Sequence, residues 1–360
     1  MSGGISEKAL KGGYFFGAGL LEEADGFICG ELGCERGVII YDPNVRRLWS
    51  EGLRKCFKRL NILGELELPG GEKSKSLAEV EKIFAFLLEA GADRRTCVIA
   101  CGGGVTGDLA GFAASAFMRG LPLINLPTTL LAMVDSSIGG KNGVDFMGAK
   151  NMIGSFYKPR LIAADVRFLE TLPLSEIKNG LAELVKALFL RPEAFMRLRD
   201  DALKNESFSD DFNNLYPYIR EAAIVKLDIT EKDPYDRGER FMLNWGHTFG
   251  HALEAASDYS LAHGQAVAIG IIASFILADK LQILKEPLLS GMKSTFNSLG
   301  LPAAIPEAVD TDRVLEYFCY DKKCEKGRPV FILPERLGKL IRYGEVSADV
   351  LRGVLKALSR

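Results

Sequence analysis

The chain has little histidine, three residues in 360, and it lacks an excess of either charge, a C-x-x-C pair and any very long apolar run. Each absence excludes something. Lys+Arg 45 against Asp+Glu 47 leaves a net charge of −2, so neither a general nucleic-acid binder nor an anionic-membrane binder is expected, since both need a basic face or tail. Any basic cluster must be local. The seven cysteines (Cys29, Cys34, Cys56, Cys97, Cys101, Cys319, Cys324) are odd in number, which suits reduced thiols in a cytosolic protein better than a disulfide framework. The opening Met1-Ser-Gly-Gly-Ile-Ser-Glu-Lys has no apolar core, so no signal peptide is read and a cytoplasmic location is expected. The most apolar window, Ala266 to Ala278, is too short to span a bilayer and predicts a buried helix.

A chain of 360 residues, 48% hydrophobic and 26% charged, is globular and most simply two domains. Its three histidines fall within seventeen consecutive residues, Asn244-Trp-Gly-His247-Thr-Phe-Gly-His251 and then Leu261-Ala-His263. Any one alone would more often be a core or capping histidine. Clustering of so scarce a residue points instead to metal or proton chemistry.

The first half reads as repeated strand–turn–helix units, the pattern of an open parallel sheet whose ligands sit at the carboxyl ends of its strands. Gly37 to Tyr41 is a short β-branched strand ending in Asp42-Pro-Asn44, with an amphipathic helix from about Val45 to Leu60. Asp42 and Asn44 either bind ribose hydroxyls or cap that helix. Strand-like Ile62 to Leu68 runs into a loop carrying Glu72 and Lys75, before a helix from about Leu77 to Ala90. Buried-strand residues Thr96 to Cys101 then meet Gly102-Gly103-Gly104-Val105-Thr106-Gly107-Asp108, with a helix predicted from Leu109 to Phe117. Positions 102, 104 and 107 satisfy G-x-G-x-x-G between a strand and a helix, where glycines allow positive φ or close approach and free N–H groups bind a pyrophosphate. No acid follows about 20 residues on, as the usual dinucleotide order requires; Asn125-Leu-Pro stands there instead.

The next strand delivers Thr128-Thr129, which offer hydroxyls to a cofactor or cap a helix. Asp135 and Lys141 follow, and then Gly148-Ala-Lys150-Asn151. Lys141 and Lys150 read as residues of glycine-flanked loops, either plain surface lysines or contacts for an anionic substrate.

After residue 172 strand signals fade and helical periodicity dominates. Glu183 lies inside an apolar helix pattern, so it needs a partner, either a metal or Lys186 three residues on. Lys226 and Arg240 precede the histidine stretch, and Asp321-Lys322-Lys323 follows it. Asn244, His247 and His251 are spaced by three and four, which would put them on one face of a helix. One Glu and two His with an open position form a catalytic metal set, leaving one histidine for proton transfer.

Taken together, Gly102–Asp108, Phe117-Met-Arg119-Gly, Pro127–Lys141, Lys150-Asn151, Ala182–Lys186 and Leu243–His251 closely resemble 3-dehydroquinate synthase, in order from about Asp42 to Lys323. The resemblance implies an α/β nucleotide-binding domain with a Rossmann-like parallel sheet over 1–172, joined to a mostly α-helical metal- and substrate-binding domain over 173–360. It implies a homodimer, NAD and a divalent metal (zinc or cobalt), with 3-deoxy-D-arabino-heptulosonate 7-phosphate as substrate held between the domains. The implied metal ligands are Glu183, His247 and His263. The implied NAD contacts are Asp42, Asn44, Glu72, Lys75, Gly103, Gly104, Val105, Asp108, Thr128, Thr129, Leu131, Thr171 and Leu172. Substrate and catalytic roles fall to Asp135, Lys141, Lys150, Asn151, Lys186, Lys226, Arg240, Asn244 and His251, with Arg119 reaching in from a partner subunit and Lys323 as a substrate-binding lysine. The sugar-binding acid then precedes the glycine loop, and His251 becomes a proton-transfer residue. The implied reaction is transient oxidation by NAD, phosphate elimination, re-reduction and an aldol closure to the carbocycle. Many relatives carry Asn where this chain has Asp145, and no functional change is attached to it. The alternatives are another sugar phosphate cyclase, an NAD- and metal-dependent polyol dehydrogenase of related fold, and a non-catalytic NAD- or metal-sensing module.

Overall fold

β-branched runs that alternate with helices build a six-stranded parallel sheet within the first of two units, Met1–Pro173 and Leu174–Arg360. The structure is a computed structural model that describes residues 13–205, 207–320 and 329–359. In chain order the first unit comprises β1 (Tyr14–Gly17), α1 (Leu21–Gly30), β2 (Arg36–Tyr41), α2 (Pro43–Cys56), β3 (Asn61–Glu67), α3 (Leu77–Glu89), β4 (Thr96–Gly102), α4 (Gly104–Ala116), β5 (Leu123–Pro127), β6 (Lys141–Phe146), β7 (Ala149–Phe156) and β8 (Leu161–Asp165).

The sheet order is β1-β8-β5-β4-β2-β3, every pair parallel, with β6 and β7 forming a separate antiparallel hairpin. Strand β4 is buried along its whole length, as expected where helices cover both faces of a parallel sheet. Val38, Ile40, Val98 and Ala100 face Val80, Ile83, Leu109 and Ala113 in one apolar cluster, so alternate strand residues pack on α3 and α4. Helix α2 starts at Pro43, two residues before the expected Val45, because Asp42 caps it and proline suits the first helical position. Helix α4 starts at Gly104 and not at Leu109; the glycine segment is itself the first turn.

Two expectations are corrected here. Lys141 and Lys150 lie in strands β6 and β7, not in loops. The glycine that marks the turn is Gly148, which with Met147 takes positive φ at the hairpin tip. Residues 14–30, which carry little sequence signal, supply edge strand β1 and helix α1.

The second unit is mostly helical, as expected. It contains α5 (Leu174–Phe189), α6 (Pro192–Lys204), α7 (Phe212–Lys232), α8 (His247–Ala256), α9 (His263–Lys280), α10 (Leu289–Ser298), α11 (Thr311–Tyr320), hairpin β9 (Phe331–Arg336) with β10 (Lys339–Tyr343), and α12 (Ala348–Leu358). Every residue from Ala266 to Ala278 is buried, so α9 forms the spine of this unit and touches α5, α8, α10, α12 and β9. Among the described residues no helix is long and apolar enough to cross a membrane.

Candidate active site

Strand order reverses between β2 and β4, since β2 continues to β3 on one side and β4 to β5 on the other. Such a point leaves a crevice at the carboxyl ends of the strands. Asp42 stands there, its N–H donating to the Cys101 carbonyl at 3.1 Å. Its Oδ1 accepts from the Asn44 N–H at 2.9 Å. Capping uses one carboxylate oxygen, so the capping and hydroxyl-binding readings of Asp42 are compatible.

Gly103 immediately precedes α4 and brings no side chain to its first amides, which leaves the N–H groups of Gly104 and Val105 at the positive end of the helix. None of Gly102, Gly103, Gly104 and Gly107 has left-handed backbone. Glycine is needed for close approach instead: a Cβ on Gly103 would lie 3.2 Å from Thr129 Cγ2, and one on Gly104 3.0 Å from Ser136 Oγ. Thr128 is buried, and Thr129 Oγ1 accepts from the Ala132 N–H at 3.1 Å. Leu131 leads into a π-turn, Ala132–Ser136, that carries Asp135; such turns recur at functional sites. At the end of this unit Thr171 Oγ1 accepts from Trp49 Nε1 at 2.9 Å, with Leu172 next to it.

A second cluster joins residues far apart in sequence. Lys75 Nζ lies 2.5 Å from Asp108 Oδ2, with side-chain exposures of 6% and 16%, and it also donates to Asn151 Oδ1. The Asp145 N–H donates to the Lys75 carbonyl at 2.9 Å. Asp145 Oδ1 in turn accepts from the Asn151 N–H at 2.8 Å. Asn151 has φ +54, a conformation asparagine tolerates better than most residues. The structure thus brings Lys75, Asp108 and Asn151 together and gives Asp145 a task, that of holding Asn151. Glu72 is exposed on a short turn before Lys75. Lys141 is exposed, 6.0 Å over the Phe156 ring. Lys150 is half-buried, and Arg119 is exposed with φ +68.

In the second unit Glu183 and Lys186 rise from α5, His247 and His251 from α8, and His263 from the first position of α9. Close packing positions them: the Gly264 N–H donates to Asn179 Oδ1 at 2.6 Å, and a Cβ on Gly264 would lie 2.0 Å from the Asn179 carbonyl oxygen. That contact pins the start of α9 one helical turn from Glu183. Before α8, Gly246 takes φ +81, and a Cβ there would lie 2.8 Å from Ile271 Cγ1.

Ligand atoms of Glu183, His247 and His263 all lie within 4.8 Å of one another. Nε2 of His247 and Nε2 of His263 are each 3.5 Å from Glu183 Oε1, while Lys186 Nζ pairs with Oε2 and donates to the Leu243 carbonyl at 2.5 Å. Both possible partners of Glu183 are therefore built around it. Its oxygens are buried; Oε2 is paired with the Lys186 ammonium, and Oε1 faces both Nε2 atoms, the place where a cation would meet all three ligands. Burial alone would raise the Glu183 pKa, but the charges of Lys186 and His263 override it and hold it at about 2. His247 is pushed well below its usual range by burial and by Lys186, His251 and His263. His263 is opposed by burial, yet the carboxylates of Glu183 and Glu254 lift it to about 9. A carboxylate and two imidazoles suit zinc or cobalt, and the 30% exposure of the His263 side chain leaves one side open.

His251 stands one turn beyond His247, with ring centroids 5.3 Å apart and 6.5 Å from that of His263. Lys226 is buried on α7. Arg240 is buried in the turn Glu239–Asn244, its Nη1 donating to the Pro234 carbonyl at 2.9 Å. Asn244 ends that turn and does not share the α8 face with His247 and His251, because left-handed Gly246 breaks the helix between them. Lys323, with Asp321 and Lys322, lies outside the described residues.

The model of the 3-dehydroquinate synthase N-terminal region matches residues 65–179, and that of the C-terminal region matches residues 180–324. The chain belongs to the 3-dehydroquinate synthase family. It is 37% identical over 349 residues to the 3-dehydroquinate synthase of Symbiobacterium thermophilum, covering 96% of this chain and 97% of that one. It is 39% identical over 339 residues to that of Dehalococcoides mccartyi strain 195, covering 93% of each. A 2-deoxy-scyllo-inosose synthase solved with carbaglucose-6-phosphate, NAD+ and Co2+ superposes with a TM-score of 0.85 at 28% identity, covering 96% of each chain. A 2-epi-5-epi-valiolone synthase from Streptomyces hygroscopicus with NAD+ and Zn2+ gives 0.85 at 26%, covering 98% of this chain and 97% of that chain. A maleylacetate reductase from Agrobacterium tumefaciens, at 18% identity and 0.69, shares the fold.

As a member of the 3-dehydroquinate synthase family the chain is an enzyme. Two of its residues gave no functional signal in the sequence. Ser136 Oγ is buried without a hydrogen-bond partner and lines the glycine crevice. Glu254 is buried beside His263; only its spacing from His247 and His251 could have marked it.

Proposed function

We propose that this chain converts 3-deoxy-D-arabino-heptulosonate 7-phosphate to 3-dehydroquinate and phosphate, as a cytoplasmic lyase that depends on NAD and a divalent metal, with neither nucleic acid nor membrane as partner. The observation that carries it is the convergence of Glu183, His247 and His263, with Lys186 and His251 beside them. Glu183, His247 and His263 hold zinc or cobalt. Asp42, Asn44, Glu72, Lys75, Gly103, Gly104, Val105, Asp108, Thr128, Thr129, Leu131, Thr171 and Leu172 bind NAD. Asp135, Lys141, Lys150, Asn151, Lys186, Lys226, Arg240, Asn244, His251 and Lys323 bind or act on the substrate.

When bound, NAD supplies a transient hydride acceptor and the cation supplies Lewis acidity toward substrate hydroxyls. His251 takes the hydroxyl proton and returns it, which fits its place near the ligands without being one of them. Lys186, Lys226 and Arg240 are cations buried to 2%, 7% and 3% exposure. Groups held so far from water bind an anion more strongly than surface lysines would, and they suit a substrate carrying both phosphate and carboxylate. Glu183 stays ionised at neutral pH, so it keeps the charge a metal ligand needs. A homodimer is supported by apolar residues left exposed on the β6–β7 hairpin, Met147 at 91% and Phe156 at 50%, and by Met118 at 48% next to Arg119, which reaches the partner's substrate.

The decisive experiment mixes the protein with NAD, zinc or cobalt and the heptulosonate phosphate, and follows phosphate release beside NADH absorbance. Phosphate without net NADH is expected. Accumulating NADH without phosphate would point to a dehydrogenase, and turnover only with a sugar phosphate lacking the carboxylate would point to a different cyclase.

A further inference from the structure

We propose that Glu254 is a positioning residue for the metal: its carboxylate fixes the tautomer and ring orientation of His263, so that Nε2 faces the cation. The inference rests on the assignment of Glu183, His247 and His263 as ligands. It begins from a symmetry between two imidazoles. His247 Nδ1 lies 3.2 Å from the Trp245 carbonyl oxygen, and His263 Nδ1 lies 3.4 Å from Glu254 Oε1. Both Nε2 atoms lie 3.5 Å from the same oxygen, Glu183 Oε1. An acceptor facing Nδ1 keeps a proton there, so the proton that a cation displaces, and the lone pair it then meets, are on Nε2. Both lone pairs then point toward one place. With the opposite tautomer on His263, a carboxylate would face a lone pair and an N–H would face the cation.

The two orienting acceptors are not equivalent. The one behind His247 is main chain, anchored because Trp245 is fully buried and its Nε1 donates to Ser274 Oγ at 2.7 Å. The one behind His263 is a charged side chain at 3% exposure, whose burial is costly without polar partners. A carboxylate also raises the basicity of the imidazole it holds, which a carbonyl does to a smaller degree. That charge stands behind the more exposed ligand, 30% for His263 against 14% for His247, where water competes most for the cation.

The local fold explains the placement. His247, His251 and Glu254 follow one another at intervals of four and three on α8, so one helical face carries a ligand, a proton-transfer group and an orienter. The chain then reverses through Asp258 and Tyr259, both at positive φ, with the Tyr259 N–H donating to the Glu254 carbonyl at 2.7 Å. This turn returns His263 to the α8 face.

The test compares wild type with Glu254→Gln and Glu254→Ala, by Co2+ and Zn2+ titration against a chromogenic chelator and by the visible spectrum of the Co2+ protein. Gln keeps an oxygen for the Nδ1 proton and loses the charge. The expected loss of affinity is on the order of 10- to 100-fold for Ala and smaller for Gln, the range seen when such partners are removed, with a shifted Co2+ spectrum for Ala. Affinity and spectrum unchanged in both variants would overturn the proposal, as would a fall in the melting temperature of the metal-free protein without a change in either. Should both variants fail to fold, histidine-selective 15N spectra of the zinc-loaded wild type decide it, since three histidines give an uncrowded spectrum. Zinc on Nε2 and a proton on Nδ1 of His263 are expected; zinc on Nδ1 overturns it. If wild type takes up neither metal, or His247→Ala takes up both as tightly as wild type, the ligand assignment itself falls and the inference with it.

Discussion

Lys75 Nζ and Asp108 Oδ2 are 2.5 Å apart and largely shielded from water, so two residues assigned to the cofactor are also each other's counter-ion. Removing one leaves the other charged and buried, which costs about 3–5 kcal/mol for a fully buried pair and less where water still reaches. Asp108→Ala should therefore lower unfolding stability by roughly 2–4 kcal/mol and weaken NAD binding. Urea unfolding and NAD titration measure the two effects. A variant as stable as wild type that still loses NAD would show that Asp108 contributes only to the ligand.

The same pair sets an alkaline limit. Burial pushes the Lys75 pKa down, but Asp108 and Glu72 outweigh it and the net shift is upward from 10.5. A group whose folded pKa is raised gives its full stabilisation below the unfolded value and loses it as pH rises through the folded one. This contribution should be flat from pH 7 to 9 and decline only above the ordinary lysine range. Lys75→Met should be less stable than wild type at neutral pH, with the gap narrowing in strongly alkaline buffer; a gap that narrows between pH 6 and 8 contradicts the assignment to Lys75.

What was legible in the sequence follows from how local each signal is. The strand ends at Asp42 and at the glycine segment could be read because β-branched runs and turn residues lie next to one another in the chain. Glu183 stood out as a charge inside an apolar helix, and the histidines through their scarcity. Spacing could not divide the histidine roles, since His247 and His251 share a face and only tertiary packing decides which ring meets Glu183. Asn244 was misplaced because its spacing is helical, while the left-handed backbone of Gly246 is set by crowding against α9. Lys141 and Lys150 look like loop residues because their glycine neighbours serve a hairpin. Glu254 stayed hidden because a glutamate on a helix is ordinarily a surface residue.

His251 is close to the cluster without being part of it, since the convergent trio is Glu183, His247 and His263. His251→Ala should bind zinc or cobalt within a few-fold of wild type and lose turnover on the order of 10²–10⁴-fold, the usual contribution of an acid–base group. Metal content after dialysis and kcat separate the two. Loss of metal from this variant would make His251 a ligand and reverse its assignment with that of one neighbour.

Asp145 offers the sharpest separation between a charge and a hydrogen bond. Its Oδ1 accepts from the Asn151 N–H at 2.8 Å, and its own N–H ties the hairpin to the Lys75 carbonyl. Asn151 holds φ +54, a left-handed conformation that asparagine visits more readily than most residues but that still benefits from such supports. An asparagine at 145 keeps the accepting oxygen and removes only the charge. Asp145→Asn should therefore leave KM for the sugar phosphate within about two-fold of wild type, because the hydrogen bond that holds Asn151 is retained. Asp145→Ala removes the acceptor and frees Asn151, so KM should rise roughly 5- to 10-fold, the equivalent of one net hydrogen bond, with a smaller change in kcat. Equal effects of the two variants would mean that the charge, and not the hold on Asn151, is what the site uses.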